Sequence, residues 1–163
     1  LSRASIHYDN MICRYVKIVE ENGIPFSSVP IELTETAALY NDRISKLIEK
    51  MVDAGFELHM DDFGSGYSSM TSLNQLPFDT LKLDKSLIDY IENFRGQQVI
   101  RHTISLAHSL GMKVLAEGVE KAKQVEILRS LNCDEIQGFY YTRPLPWENF
   151  ETEVIRAKGA CKK

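Results

Sequence analysis

Residues 56–69 read FELHMDDFGSGYSS, and this stretch decides how the rest of the chain is interpreted. A short strand that leans apolar ends in two adjacent carboxylates, Asp61 and Asp62, and a glycine-rich loop begins directly after them. Adjacent strand residues point to opposite faces, but at the end of a strand the chain can turn so that both carboxylates approach one centre. Two acids at one centre repel each other unless a cation or a proton lies between them.

Two interpretations of this acidic pair are open. Hard divalent ions such as Mg²⁺ and Mn²⁺ prefer carboxylate oxygens, often together with water and a substrate phosphate, so the pair could hold a metal ion. Alternatively, Asp61 and Asp62 could start the loop as an Asx turn, which needs no ligand. The pattern of the remaining strands bears on this choice.

The composition is that of one globular domain with a hydrophobic core, since 44% of the 163 residues are hydrophobic and 26% are charged. The formal net charge of −4 predicts no broad basic surface, so we expect no DNA partner. The sequence contains no run of about 18 apolar residues, so it predicts no membrane-spanning helix, and no signal peptide is visible. Three scattered cysteines, Cys13, Cys133 and Cys161, favour reduced thiols in the cytoplasm.

Strands alternate with helices along the chain. The predicted helices are residues 8–22, 41–54, 86–93, 97–110, 121–131 and 147–157. The predicted strands are residues 29–33, 57–60, 80–83, 113–116 and 135–137. This order predicts an α/β fold in which about five parallel strands are joined by helical crossovers. Residues 1–157 then form one domain, and residues 158–163 form a frayed tail.

Each predicted strand carries a polar side chain at or near its end. These side chains are Glu32, Asp61, Asp62, Lys82, Glu117 and Gln137. Because the carboxyl ends of parallel strands lie on one face, and a barrel gathers them into a ring, we expect these side chains to meet. Four carboxylates, one lysine and one amide at one rim favour a site for a metal and a phosphate over an isolated Asx turn.

The same residues give the chain a resemblance to the EAL domain family, the bacterial phosphodiesterases of cyclic di-GMP. The matching segments, in chain order, are IELTE at 31–35, DDFGSGYSS at 61–69, LKLD at 81–84, AEGVE at 116–120, and QG at 137–138 with PL at 144–145. The resemblance runs from residue 1 to about residue 150 and is specific because five motifs occur in the right order. The Glu-Ala-Leu segment that names the family is not in this sequence. A metal-binding asparagine of the family, which would fall on the strand just before residue 1, is absent too.

The resemblance implies a (β/α)₈ barrel of the TIM type, which usually needs roughly 250 residues. The chain therefore resembles the C-terminal two-thirds of the domain, a partial barrel whose N-terminal strands are missing. Missing strands would expose sheet edges and apolar surface, so we expect a homodimer or other self-association through these edges. We also expect the fragment alone to hydrolyse cyclic di-GMP poorly or not at all.

The resemblance also implies two-metal chemistry. Two divalent ions, Mg²⁺ or Mn²⁺, about 4 Å apart would hold an attacking water and the scissile phosphate for in-line displacement, which converts cyclic di-GMP to linear pGpG. The residues that match the family's metal ligands are Glu32, Asp61, Asp62 and Glu117.

Further roles follow from the same resemblance. The residues that match catalytic positions are Lys82, Glu117 and Gln137. The residues that match substrate-binding positions are Asp62, Gly138 and Pro144. Glu35 matches a glutamate that stabilises the loop after Asp62. Lys82 would offset phosphate charge, and Glu117 would act as a general base or orient the water.

Plainer roles stay open for several of these side chains. Glu32 could cap the next helix, and Glu35 could cap the predicted helix at 41–54. Lys82 could form an ion pair with Asp84 or Asp61, which would be compatible with a catalytic role.

Three functions remain to be separated. The intact parent protein could hydrolyse cyclic di-GMP, or it could be a degenerate domain that binds cyclic di-GMP as a sensor, or it could be an interaction scaffold. The matching residues are all of catalytically competent types, which favours the enzyme. We expect a cytoplasmic domain without membrane contact from this segment, in a parent that upstream segments could anchor to a membrane.

Overall fold

A computed structural model describes residues 11–34, 42–66, 73–74 and 76–152. The helices of these ranges are α1 (Met11–Glu21), α2 (Asp42–Asp53), α3 (Lys85–Ile88), α4 (Phe94–Ser109), α5 (Ala122–Ser130) and α6 (Trp147–Phe150), with a 3₁₀ turn at Phe26–Ser28. The strands are β1 (Ile31–Thr34), β2 (Leu58–Phe63), β3 (Thr80–Leu83), β4 (Lys113–Ala116) and β5 (Glu135–Ile136). They form one parallel sheet in the order β1-β2-β3-β4-β5, which confirms the predicted α/β architecture.

The middle of the sheet is buried on both faces, as expected where helical crossovers cover a parallel sheet. All four residues of β3 are buried, and Leu83 is fully inaccessible to solvent. Met60 of β2 and Val114 of β4 flank β3 and are equally inaccessible. The buried positions of the strands are rich in Leu, Val and Ile because they pack against apolar side chains of the core. This rigid sheet holds the strand ends, and therefore their polar side chains, at fixed positions.

The pairing of β2 with β3 contains a register shift just before β2 ends. Asp61 and Asp62 together lie opposite the single residue Lys82. Asp62 has φ +58°, a left-handed conformation that Asp tolerates better than most residues. An extra residue of this kind is a β-bulge, which bends the strand and changes the direction of its side chains. The turn expected at Asp61 and Asp62 is therefore a bulge inside the strand.

Two helix boundaries differ from the sequence prediction. The predicted helix at 86–93 is the single turn α3, and α4 begins at Phe94 and not at residue 97. The gap predicted between helices 86–93 and 97–110, with Gly96 as the residue separating them, was wrong, because Gly96 lies within α4. The side chain of Asn93 accepts the Gly96 N–H at 2.7 Å, which caps α4 and places Gly96 in its first turn.

The remaining predictions concern the ends of the chain and its cysteines. α6 ends at Phe150, and the rest of the predicted helix at 147–157 lies mostly outside the described residues, as does the predicted tail. No helix in the described ranges has the length and apolar character that crossing a bilayer requires. Cys13 is exposed, whereas burial raises the pKa of the half-buried Cys133 thiol to about 11. Cys161 lies outside the described residues.

Candidate functional site

A buried lysine joins three strands at the carboxyl edge of the sheet. The side chain of Lys82 in β3 is 7% exposed, and its ammonium contacts one carboxylate from each of three neighbouring segments. The Nζ atom lies 2.5 Å from Glu32 Oε1 of β1 and 2.8 Å from Asp61 Oδ1 of β2. It lies 3.0 Å from Glu117 Oε1, directly after β4. The structure therefore brings these four predicted site residues together, while their chemical roles stay predictions.

The ammonium of Lys82 is a permanent positive charge. Burial alone would lower the pKa of Lys82, but the hydrogen bonds to Asp61, Glu32 and Glu117 outweigh burial and raise the pKa above its usual value. Lys82 therefore stays protonated at neutral pH. A fixed cation at a strand end can stabilise negative charge on a phosphate. The open alternative of an ion pair with Asp61 is confirmed, and it leaves that charge in the middle of the site.

Asp62 lies beside this cluster. Burial and the charges of Asp61, Asp84 and Glu32 raise the pKa of Asp62, against a smaller lowering by Lys82. No hydrogen bond or ion pair joins its carboxylate to another residue in the described part of the chain. The bulge thus provides one neutralised acid, Asp61, and one acid whose oxygens are available to a ligand.

Glu117 is held by its backbone and by its side chain. Its N–H donates to the Leu83 carbonyl at 3.0 Å, which continues the β3–β4 pairing one residue beyond β4. Its side chain is 21% exposed. The pKa of Glu117 is raised, mainly because the side chain is buried. The ion pair with Lys82 lowers this pKa, but the charges of Asp61 and Glu32 add to the effect of burial. A carboxylate with a raised pKa is a better proton acceptor than an ordinary one.

The donor set fits a hard divalent cation in chemistry and in charge. Among the described residues, four carboxylates lie around one ammonium, and oxygen ligands of this type suit Mg²⁺ and Mn²⁺. Asp62 adds a carboxylate that no other described residue neutralises. Yet no group of three or more ligating side chains in the described ranges is arranged around one ion position. A cation would therefore share carboxylates that now contact Lys82.

The segment after β5 extends the same edge of the sheet. The Gln137 N–H donates to the Ala116 carbonyl at 2.8 Å, and the Gln137 carbonyl accepts the Val119 N–H at 3.1 Å. Gly138 lies so close to this backbone that a Cβ on it would be 2.1 Å from Val119 O. The Gln137 side chain is not among the described contacts of Lys82, and Gln137 is exposed to solvent.

A cleft of about 630 Å³ opens along this segment. Its lining residues are Ile136, Gln137, Gly138, Phe139, Tyr141, Thr142, Arg143, Pro144, Leu145 and Phe150. Three of them, Gln137, Gly138 and Pro144, are predicted site residues. The Arg143 guanidinium lies 4.7 Å from the centre of the Phe139 ring. Aromatic rings and guanidinium groups are the surfaces on which nucleic acid bases stack.

Several contacts separate the roles that the sequence left open. Asp84 caps α3 by accepting the Ser86 N–H at 2.9 Å, so it does not pair with Lys82. Lys85, which the sequence analysis missed, lies 3.2 Å from Glu120 Oε1 through its Nζ atom. The available signal was spacing, because Lys85 follows Lys82 by three residues and Glu120 follows Glu117 by three. Glu35 lies outside the described residues.

Comparison with known proteins finds one family along most of the chain. The EAL domain family model matches residues 1–144. The cyclic di-GMP phosphodiesterase NbdA of Pseudomonas aeruginosa is 40% identical over 141 residues, which are 85% of this chain and 18% of that protein. The cyclic di-GMP phosphodiesterase PdeR of Escherichia coli is 34% identical over 137 residues, which are 83% of this chain and 21% of that protein. The chain thus spans a small share of the length of these relatives.

Solved structures agree with this match. The EAL domain of Mycobacterium smegmatis DcpA superposes with a TM-score of 0.88 at 30% identity, over 96% of this chain and 71% of that chain. Klebsiella pneumoniae BlrP1, in a manganese/cyclic di-GMP complex, has a TM-score of 0.79 at 30% identity, over 85% of this chain and 36% of that chain. EAL domains have a TIM-barrel-like fold, and the five parallel strands correspond to part of that fold, as predicted.

Proposed function

Because the chain belongs to the EAL domain family, we propose that it forms the larger part of the catalytic domain of a phosphodiesterase that hydrolyses cyclic di-GMP to linear pGpG. One observation carries this proposal. A buried lysine contacts three carboxylates, one from β1, one from β2 and one directly after β4, and a fourth carboxylate, that of Asp62, lies beside them. A purely structural lysine would need one such partner, whereas an excess of acids at a strand end suits cations and a phosphate.

In this proposal Glu32, Asp61, Asp62 and Glu117 hold Mg²⁺ or Mn²⁺. Two bound ions would polarise the phosphate and orient the water that attacks it. The choice of metal and ligand is supported by BlrP1, a protein similar to this chain whose structure is a complex with manganese and cyclic di-GMP. The Asp62 carboxylate, which no other described residue neutralises, supports it by chemistry.

Side chains of this protein would stabilise the phosphate charge, accept the proton and bind the base. Lys82 stabilises the negative charge that develops on the phosphate, because its ammonium is fixed by three carboxylates and does not need to reorient. Glu117 accepts a proton from the attacking water, since its pKa is raised. Gln137, Gly138 and Pro144 line the cleft that would take a guanine base, where Arg143 and Phe139 offer stacking surfaces.

One observation favours a second function, the binding of cyclic di-GMP without hydrolysis. Glu32, Asp61 and Glu117 are directed at Lys82, and no ion position in the described residues is surrounded by three ligands. A domain that keeps this arrangement when nucleotide binds would be a sensor. The enzyme and the sensor differ in a single measurable property, which is the formation of pGpG.

The test uses the purified full-length protein after removal of divalent ions. We expect pGpG to form, as measured by liquid chromatography, when Mg²⁺ or Mn²⁺ is added with cyclic di-GMP. Glu117→Gln should lower the rate by about 100-fold or more, since general-base catalysis contributes 10²–10⁴. The matched control is Glu49→Gln, which changes an exposed glutamate on α2. Calorimetric binding without pGpG would support the sensor, and absence of binding would contradict both functions.

Two further proposals concern the 163-residue chain alone. We propose that the 163 residues alone hydrolyse cyclic di-GMP slowly, since the Glu-Ala-Leu segment of the family is not among them. We also propose that they self-associate, because β1 and β5 each pair with one strand only in the described sheet and edge strands are open to pairing. Full turnover by the fragment would contradict the first proposal, and a single monomer in analytical ultracentrifugation would contradict the second.

A further inference from the structure

The one-turn helix α3 packs against the loop that follows Asp62. Gly64 lies under the side chain of Leu87, and a Cβ built on Gly64 would be 2.4 Å from Leu87 Cδ1. The Ser86 hydroxyl lies 3.5 Å from the Gly64 carbonyl oxygen on the same side. The loop itself turns back on Asp62, whose carbonyl accepts the Ser65 N–H at 3.0 Å. Leu87 therefore fixes how close this loop can approach α3.

The other side of α3 packs against the loop that carries Glu117. A Cβ built on Gly118 would be 2.6 Å from Lys85 Cβ and 2.7 Å from Lys85 Cγ, so the aliphatic stem of Lys85 covers this glycine. The ammonium of Lys85 then pairs with Glu120 at 3.2 Å and with Asp89 at 3.0 Å. Lys85 thus contacts the loop on both sides of Val119 and limits its movement.

α3 is itself firmly attached to the sheet. Asp84, two residues after Lys82, caps its first turn, and Ile88, its last residue, is completely buried. Lys85 is exposed and Leu87 is only partly buried, so neither is a core residue. Side chains of this kind contribute little to global stability, yet both lie between the two loops.

We propose that Leu87 and Lys85 are positioning residues that set the separation between Asp62 and Glu117. This inference rests on the proposed phosphodiesterase function, because it concerns the geometry of that site. Leu87 acts through Gly64 on the Asp62 side, and Lys85 acts through Gly118 on the Glu117 side. Neither residue touches the reacting groups; the two determine where the carboxylates lie relative to Lys82.

The test measures kcat and KM in the full-length protein with Mn²⁺. Leu87→Ala and Lys85→Ala should each lower kcat by about tenfold, as loss of a supporting contact around a ligand does, with little change in KM. The conservative variants Leu87→Met and Lys85→Arg keep the packed stems and should restore kcat. The matched controls are Leu110→Ala and Lys17→Ala, which shorten exposed side chains remote from both loops.

A second measurement is independent of turnover. Hydrogen exchange of the Ser65 amide, which bonds to Asp62, should accelerate in Leu87→Ala, and exchange of the Glu117 amide, which bonds to Leu83, should accelerate in Lys85→Ala. Unchanged exchange and unchanged kcat in both variants would overturn the positioning role, as would failure of the conservative variants to restore kcat in folded protein. If the wild-type protein forms no pGpG, the proposed function fails, and amide exchange alone decides the positioning role.

Discussion

Lys82 and Asp61 lie on neighbouring strands, and the Lys82 ammonium donates to Asp61 Oδ1 over 2.8 Å at the point where the register of β2 shifts. The shift places Asp62 next to Asp61 on the same turn of chain, in a left-handed conformation. The two adjacent acids therefore have different surroundings. One is neutralised by a buried lysine, and the other has a raised pKa and no counter-ion among the described residues.

Lys82→Met should destabilise the metal-free protein and increase its response to Mn²⁺. Three carboxylates would lose their shared counter-ion, and we expect the free energy of unfolding to fall by about 1–3 kcal/mol. Added Mn²⁺ should recover more stability in the variant than in wild type, because the cation replaces the missing positive charge. Urea unfolding with and without Mn²⁺ measures both effects.

The control for this change is Lys17→Met, which breaks an exposed ion pair of 3.6 Å with Glu21 on α1. It should alter the free energy of unfolding by less than about 0.5 kcal/mol. An equal Mn²⁺ response in Lys82→Met and wild type would contradict the inference that the ammonium and the cation use the same carboxylates.

Asp62→Asn should have opposite effects in the absence and presence of metal. Without divalent ions the variant removes a carboxylate that burial and Asp61 disfavour, and Asn tolerates φ +58°. We therefore expect a gain of about 0.5 kcal/mol in the free energy of unfolding at neutral pH, the scale of an exposed charge interaction. With saturating Mn²⁺ the wild-type protein should gain more than the variant, because Asp62 supplies a ligand.

Thermal unfolding in chelator and in Mn²⁺ measures this reversal. Asp53→Asn, an exposed change at the end of α2, is the control and should leave the metal response unaltered. A variant that is less stable than wild type under both conditions would show that Asp62 has a partner that the metal interpretation ignores.

The sequence predicted the strands and their shared edge because both depend on local patterns. Short apolar runs between glycine and proline residues marked the strands, and the parallel order placed Glu32, Asp61, Lys82 and Glu117 at one edge. The bulge at Asp62 could not be predicted, since a single extra residue leaves no periodic signal in one strand. Its existence depends on the register against β3.

The role of Lys85 was missed for a related reason. Lys85 follows Lys82 by three residues, as Glu120 follows Glu117. Lys85 can contact Glu120 because these two equal separations lie side by side on neighbouring segments. That match is visible only when β3 and β4 are aligned, and one sequence does not fix their alignment. The start of α4 was misplaced because Gly96 is usually a helix breaker, whereas here the side chain of Asn93 bonds to its N–H.

Gly138→Ala should destabilise the protein. The added Cβ would be 2.1 Å from Val119 O and 2.3 Å from Val119 N, and backbone atoms cannot move aside as a flexible side chain can. Overpacking of this kind costs about 1–3 kcal/mol. Gly66→Ala is the matched control, since no atom of the described residues lies within 4 Å of the corresponding Cβ. Equal stability of the two variants in urea would contradict the close packing of Gly138 on Val119.

Asp134→Ala should destabilise the fold at the end of the sheet remote from the site. Asp134 Oδ2 accepts the Val114 N–H at 2.8 Å and contacts His108 Nε2 at 2.8 Å, which ties the segment before β5 to β4 and α4. Without the acceptor, the Val114 N–H loses its partner at the beginning of a buried strand. We expect a loss of about 1–2 kcal/mol in the free energy of unfolding and no change in kcat.

The pH dependence of this loss follows from the pKa of Asp134. Burial alone would raise the pKa of Asp134, but the hydrogen bonds with His108 and Val114 outweigh burial and lower it below the ordinary value of 3.8. A lowered carboxyl pKa contributes stability that is complete above the ordinary value and is lost as pH falls through the folded-state value. The difference between wild type and Asp134→Ala should therefore shrink as the pH falls below 3.8. Urea unfolding at pH values on both sides of 3.8, with Glu126→Ala as an exposed control, measures it. A difference that does not shrink below this pH would contradict the lowered pKa of Asp134.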